Sequence, residues 1–252
     1  MAQETMIELN RISKHYGRKI ALSSLSFVIN KGEHVAVIGP SGAGKTSMLN
    51  ILASMLPADD GEILVDGKPL DSYCDRKSRA QKIGMVRQQF DLVPQLAVIH
   101  NVLAGRLSDW SLWKSVLSLL IPQDKGRAIE ALDRVGLSDK VFERTSSLSG
   151  GEQQRVALAR LLVQDPEIIL ADEPVASLDP ARAEDILKML TRIAAEENQT
   201  LVASLHSVDY ALKYFSRVIA LKDGKLFFDR PVSEVSDTLL AELYSLEGNS
   251  QK

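Results

Sequence analysis

One octapeptide constrains this chain more than any other stretch. Gly39-Pro40-Ser41-Gly42-Ala43-Gly44-Lys45-Thr46 fits G-x-x-x-x-G-K-[ST] in full. It follows Val35-Ala36-Val37-Ile38, apolar on both faces as a buried parallel strand is, and precedes Thr46–Met55, which reads as a helix stopped near Pro57. Strand, tight loop and helix in that order require an open α/β architecture. The glycines let backbone N–H groups turn toward an anion, and the helix start adds partial positive charge. Lys45 can reach outer phosphates as a point charge, Thr46 offers a hydroxyl to Mg²⁺, and Ser47 completes the candidate cradle.

A second apolar run, Ile168-Ile169-Leu170-Ala171, ends in Asp172 and Glu173. Ligands of open α/β sheets bind beyond the carboxyl ends of the strands. Adjacent strand residues point to opposite faces, so the two carboxylates should hold different roles. Asp172 is assigned to the Mg²⁺ shell, and Glu173 to the attacking water as general base or orienting group.

The remaining pattern organises around these runs. Residues 6–12, 25–30, 61–67 and 82–86 read as strands, 180–197 as a helix, 200–206 as a strand and 217–229 as a hairpin about Asp223-Gly224. Residues 88–164 are mostly helical, with Gly136 as a C-cap, and 233–246 form a final amphipathic helix. The composition, 45% hydrophobic and 25% charged, is that of a globular chain and argues against disorder. A net charge of −3 implies no general attraction to nucleic acid or anionic lipid. The single Cys74 cannot form an internal disulfide and reads as an unpaired loop residue of a reducing compartment. The N-terminus shows no signal peptide. Trp110–Pro122, the longest apolar stretch, falls short of the ~20 residues a membrane span needs, so any membrane role is expected to run through a partner.

Leu148-Ser149-Gly150-Gly151-Glu152 opens a run, LSGGEQQRVALAR, that has paired glycines at a helix start but no lysine. Ser149 suits an N-cap. Taken with the two motifs above, this stretch makes the chain resemble the ATP-binding subunits of ABC transporters, over nearly its whole length. The resemblance implies an α/β P-loop NTPase core with an antiparallel β subdomain and an inserted helical signature subdomain. Core and β subdomain would span about 1–87 and 165–232, the helical subdomain about 88–164, and a C-terminal helix and tail 233–252. It implies ATP and Mg²⁺, and two copies packed head to tail. Leu148–Glu152 of one copy would then close over ATP held by the phosphate loop of the other, which explains the missing lysine.

Residue by residue, Tyr16 matches the aromatic that stacks on adenine. Gln88 matches the glutamine that meets Mg²⁺ and senses the membrane partner, Ser177 and Asp179 the loop that crosses the dimer, and His206 the histidine at the γ-phosphate. Asp179-Pro180 also reads as an N-cap followed by proline at the first helical position. Arg87 departs from the family, which commonly has an aromatic or apolar residue there.

Residues 90–107, 170–180 and 205–231 resemble the ATPases of phosphonate importers in particular. The implied partners are a second copy, integral membrane permease subunits and, indirectly, a solute-binding protein, with no nucleic acid. The implied place is the cytoplasmic face of the bacterial inner membrane. The alternatives are another importer, an exporter, a non-transport ABC ATPase of ribosome or DNA, and a nucleotide sensor without turnover. The apolar insertion Leu107–Ile121, with Trp110, Leu112, Trp113, Val116, Leu117, Leu119 and Leu120, reads as a helix packed on its own domain or as a surface docking a membrane subunit.

Overall fold

The computed structural model describes residues 4–245. The chain divides into two compact units: Met1–Leu70 with Val202–Lys252, and Asp71–Leu201.

The first unit opens with β1 (Thr5–Tyr16) and β2 (Lys19–Asn30), paired antiparallel. Met6, Ile7, Leu9 and Ile12 of β1 are all buried. Left-handed residues at Arg11 (φ 54) and Ser24 (φ 50) accompany shifts in the register, so both strands run longer than their alternating pattern suggests. β3 (His34–Ile38) has no exposed residue from Val35 to Ile38 and leads into the phosphate loop and α1 (Lys45–Leu52). β4 (Asp60–Val65) and β5 (Lys68–Pro69) are joined by Asp66 (φ 52) and Gly67 (φ 68), the double left-handed turn that an Asp-Gly pair favours. One sheet has the order β2-β1-β4-β5.

The second unit begins with α2 (Arg76–Lys82), whose N-cap Asp75 accepts from Lys77 N and Ser78 N at 2.9 Å each. β6 (Ile83–Val86) follows, then α3 (Val98–Leu103), α4 (Leu112–Leu120), α5 (Lys125–Arg134) and α6 (Gly150–Gln164). Gly136 sits just past α5 at φ 70, as a helix-ending glycine does. β7 (Ile168–Asp172) pairs parallel with β6, and α7 (Pro180–Glu196) closes the unit. α6 is buried through Val156, Ala157, Leu158 and Ala159. In the insertion Trp110 and Ser118 are buried, the Trp110 Nε1 donating to Asp124 Oδ2 at 3.1 Å. Leu112 and Trp113 are 79% and 84% exposed, and Val116 and Leu117 are exposed beside them. The reading of this helix as packed on its own domain therefore fails for that face. The side chains of Leu119 and Leu120 lie outside the described residues.

β8 (Thr200–Ser204) carries the chain back into the first unit, where Leu205 N donates to Val37 O at 3.0 Å. α8 (Val208–Tyr214), β9 (Arg217–Lys222), β10 (Lys225–Pro231) and α9 (Asp237–Tyr244) follow. β9 pairs parallel with β3 and antiparallel with β10, about the foreseen Asp223-Gly224 turn. Arg217 holds this corner, with Nε and Nη2 each 2.6 Å from Asp229 and Nη1 3.0 Å from Glu33 Oε2. Leu246 and the tail to Lys252 lie outside the described residues. Among the described residues no helix is long and apolar enough to cross a membrane.

Candidate functional site

The phosphate loop needs glycine where its backbone comes close to other chain. Gly39 has φ 148, and a Cβ there would run into Leu221 O. Gly44 has φ 101, and a Cβ would sit 2.5 Å from Ala21 O. Both positions exclude any other residue. Between them Ala43 N donates to Pro40 O at 3.1 Å, while Ser41 and Gly42 are exposed. Gly44 is the N-cap of α1 and supplies no side-chain cap, so the first-turn N–H groups meet no capping oxygen from it. Lys45 is 4% exposed, and its Nζ donates to Gly39 O at 2.7 Å and Pro40 O at 3.1 Å. The ammonium is thus held at the loop's own rim. Thr46 is exposed and Ser47 half-buried.

The same unit holds Tyr16, half exposed at the end of β1, and His206, exposed just past β8. It also brings in a residue that the sequence did not single out. Gly39 N donates to the Tyr244 hydroxyl at the end of α9, and burial raises the Tyr244 pKa above its usual value. Nothing in a spacing of some two hundred residues signals that contact.

In the second unit all of β7 is buried, Asp172 included at 8% exposed. Glu173 is half-buried and takes the left-handed conformation, φ 50. That conformation is costly for a residue with a Cβ, and it falls where the strand ends at Asp172. Gln88 is exposed just past β6. It lines a cleft of about 520 Å³ with Phe90, Gly150, Gln153 and Ser177. Arg87, the departure from the family pattern, is solvent-facing, 3.6 Å from Asp91.

Ser149 caps α6 in a reciprocal box. Glu152 N donates to Ser149 Oγ at 3.4 Å, and Ser149 N donates to Glu152 Oε2 at 2.8 Å. The Ser149 hydroxyl, which donates to Glu152 Oε2 at 2.7 Å, and then the Ser149 N–H hold the Glu152 carboxyl below its usual pKa. Leu148 is buried and anchors the turn, and Gly150 is exposed. Ser149, Gly151 and Glu152 line a second cleft, of about 410 Å³, with Lys140, Arg155 and Arg182. Asp179 caps α7 as foreseen, accepting from Arg182 N at 3.1 Å, with Pro180 at the first helical position.

The predicted residues divide between the two units. The first has the phosphate loop, Tyr16 and His206. The second has Gln88, the signature turn, Asp172, Glu173, Ser177 and Asp179. A family model described as ABC transporter matches residues 22–176, a span that includes the phosphate loop, the signature turn and both carboxylates. The chain belongs to the ABC transporter family. Its fold is that of an ABC cassette. It superposes on the dimeric cassette MJ0796 with a TM-score of 0.77, at 33% identity over 90% of this chain and 99% of that one. It superposes on the ADP conformation of MJ1267 with a TM-score of 0.83, at 26% identity over 95% and 98%.

Among similar sequences are proteins named "Phosphonates import ATP-binding protein PhnC". That of Lactobacillus johnsonii is 41% identical over 98% of this chain and 98% of its own. That of Pseudomonas syringae is 47% identical over 93% and 89%. One from Anaeromyxobacter dehalogenans is 46% identical over 94% of this chain, which spans about half, 48%, of that longer relative.

Proposed function

We propose that this ABC transporter chain is the ATP-hydrolysing subunit of an importer of phosphonates or related phosphorus oxyanions, working at the cytoplasmic face of a bacterial membrane. The observation that carries the reading is a pair of differently built anion grips on one polypeptide. One is a glycine cradle around the buried Lys45, the other a capped helix start, Ser149–Gly151, whose own turn carries no lysine. A cradle with a lysine holds a nucleotide by itself, whereas a helix start alone is suited to a nucleotide already held. Two copies placed head to tail satisfy both, and the similar cassette MJ0796 is described as dimeric. The substrate class rests on the relatives' names together with their coverage of nearly the whole chain.

In this reading Tyr16 stacks on the base, Lys45 and the loop amides hold the outer phosphates, and His206 touches the terminal one. Glu173 takes or orients the proton of the attacking water, and Ser177 and Asp179 face the partner copy. The oxygen donors Thr46, Asp172 and Gln88 would hold Mg²⁺, which when bound would neutralise phosphate charge. Among the described residues no group of three or more His, Cys, Asp or Glu could hold a metal. Closure of the dimer on ATP drives the membrane subunits through a difference in ATP affinity between open and closed states.

The test is reconstitution with the membrane subunits and a solute-binding protein in vesicles. ATP-dependent uptake of methylphosphonate is the expected result. Hydrolysis without uptake of any phosphonate would remove the substrate class, and absence of hydrolysis would remove the ATPase itself.

A further inference from the structure

α6 reaches well beyond its capped start. Arg160 lies ten residues past Gly150, about 15 Å along the helix. Its guanidinium crosses to the loop that follows Gln88. Nη1 donates to Asp91 O at 2.8 Å and Nη2 donates to Phe90 O at 2.9 Å. Asp91 is itself left-handed, φ 49, so the chain turns sharply where it is gripped. Desolvation lowers the Arg160 pKa, with Asp91 opposing the shift, yet an arginine remains a cation at neutral pH. A half-buried guanidinium whose hydrogen-bond partners here are backbone carbonyls, rather than a carboxylate, is tied to the loop's position and not to its side-chain identity.

A second grip lies further along the same loop. Asn101, 2% exposed on α3, accepts from Val93 N at 2.7 Å and donates to Val93 O at 3.0 Å. It also donates to Thr145 Oγ1 at 2.9 Å, and that hydroxyl donates to Leu96 O at 3.0 Å. Gln88, Gln89 and Asp91 are exposed, and the segment between β6 and α3 forms neither helix nor strand. Without these bonds a loop of that kind would move independently of the helices beside it. With them, Phe90, Asp91 and Val93 are fastened by their backbones. α6 is a stiff lever for such a link. Its buried face is closely met even at Gly105, where a Cβ would run into Arg160 O.

We propose that Arg160 is a positioning residue that locks the loop after Gln88 to the signature helix, so that Gln88 and Ser149 are displaced as one body. A push on the loop at one end of α6 then reaches the serine at the other as a rigid-body movement. The inference rests on the reading of this chain as an ATPase whose turnover needs Ser149 delivered to a neighbour's nucleotide.

The test uses the full chain with Cys74→Ser, and spin labels at Gln89→Cys and Ser147→Cys, both exposed sites. The labelled chain should give one narrow distance distribution, and Arg160→Gln should broaden it. In the unlabelled chain Arg160→Gln should lower kcat about tenfold and leave the ATP dissociation constant within twofold. Arg160→Lys keeps the charge but not the two-pronged geometry, and should lie between. It serves as the second variant if the glutamine form does not fold. A distribution as narrow as the parent's, or ATP affinity falling in step with kcat, would overturn the lock. If the unaltered chain hydrolyses no ATP, the proposed function fails, while the label distances still decide the lock.

Discussion

At the start of α6 the Ser149 hydroxyl donates to the Glu152 carboxylate at 2.7 Å. The hydroxyl that a neighbour's phosphate would need is engaged by an anion of its own helix, so binding is an exchange of one anion for another. The depressed pKa of Glu152 keeps it charged at neutral pH. A phosphate arriving there meets a like charge, worth on the order of 1 kcal/mol in a partly solvated site. Glu152→Gln should therefore tighten the ATP-induced dimer about fivefold. Sedimentation in a Glu173→Gln background measures this, and a weaker dimer would mean that the carboxylate assists closure.

Lys45 bonds Gly39 O and Pro40 O in the structure, so its ammonium is already placed where outer phosphates would arrive. Charge-assisted hydrogen bonds contribute roughly 1.5–3 kcal/mol. Lys45→Ala should weaken ATP binding by about 10- to 100-fold in a fluorescent-nucleotide titration. An unchanged dissociation constant would remove Lys45 from the site.

Glu173 stands just past the end of β7, in a conformation that L-residues rarely adopt. As general base it should contribute about 10²–10⁴ to turnover. Glu173→Gln is expected to bind ATP normally, to lose phosphate release by that factor and to accumulate as a dimer. Ordinary steady-state turnover in that variant would end the assignment.

What could be read from the sequence was local. The phosphate loop, the Asp172-Glu173 pair and the signature turn each sit in one short string whose chemistry needs no tertiary partner. The Asp223-Gly224 turn and the Asp179-Pro180 cap were legible for the same reason. α2 was not, because RKSRAQK has no buried residue and depends on the Asp75 cap rather than on an apolar period. The full lengths of β1 and β2 were hidden by left-handed residues at Arg11 and Ser24, which break the alternation. The apolar content of α4 did not reveal which face is covered, since density of hydrophobic residues carries no direction. Tyr244 against Gly39 and Arg160 against Asp91 are contacts made by folding across long separations, and no spacing rule reaches them.

Acid should loosen the first unit through Asp59. Lys14 Nζ donates to Asp59 Oδ1 at 2.6 Å and His15 N donates to Oδ2 at 2.7 Å. These bonds, the lysine's first, pull the Asp59 pKa below its ordinary value of 3.8. A carboxylate with a lower pKa folded than unfolded adds stability above the unfolded value. That contribution disappears as pH falls through the folded one, where both states are protonated. Asp59→Asn removes the titration along with the ion pair. Its urea midpoint should lie below the parent's at pH 7, and the gap should narrow at pH 3. The window is acidic because the group is a depressed carboxylate; a histidine would have placed it near neutrality. A gap as wide at pH 3 as at pH 7 would show that the asparagine disturbs β1 by some route other than the lost charge.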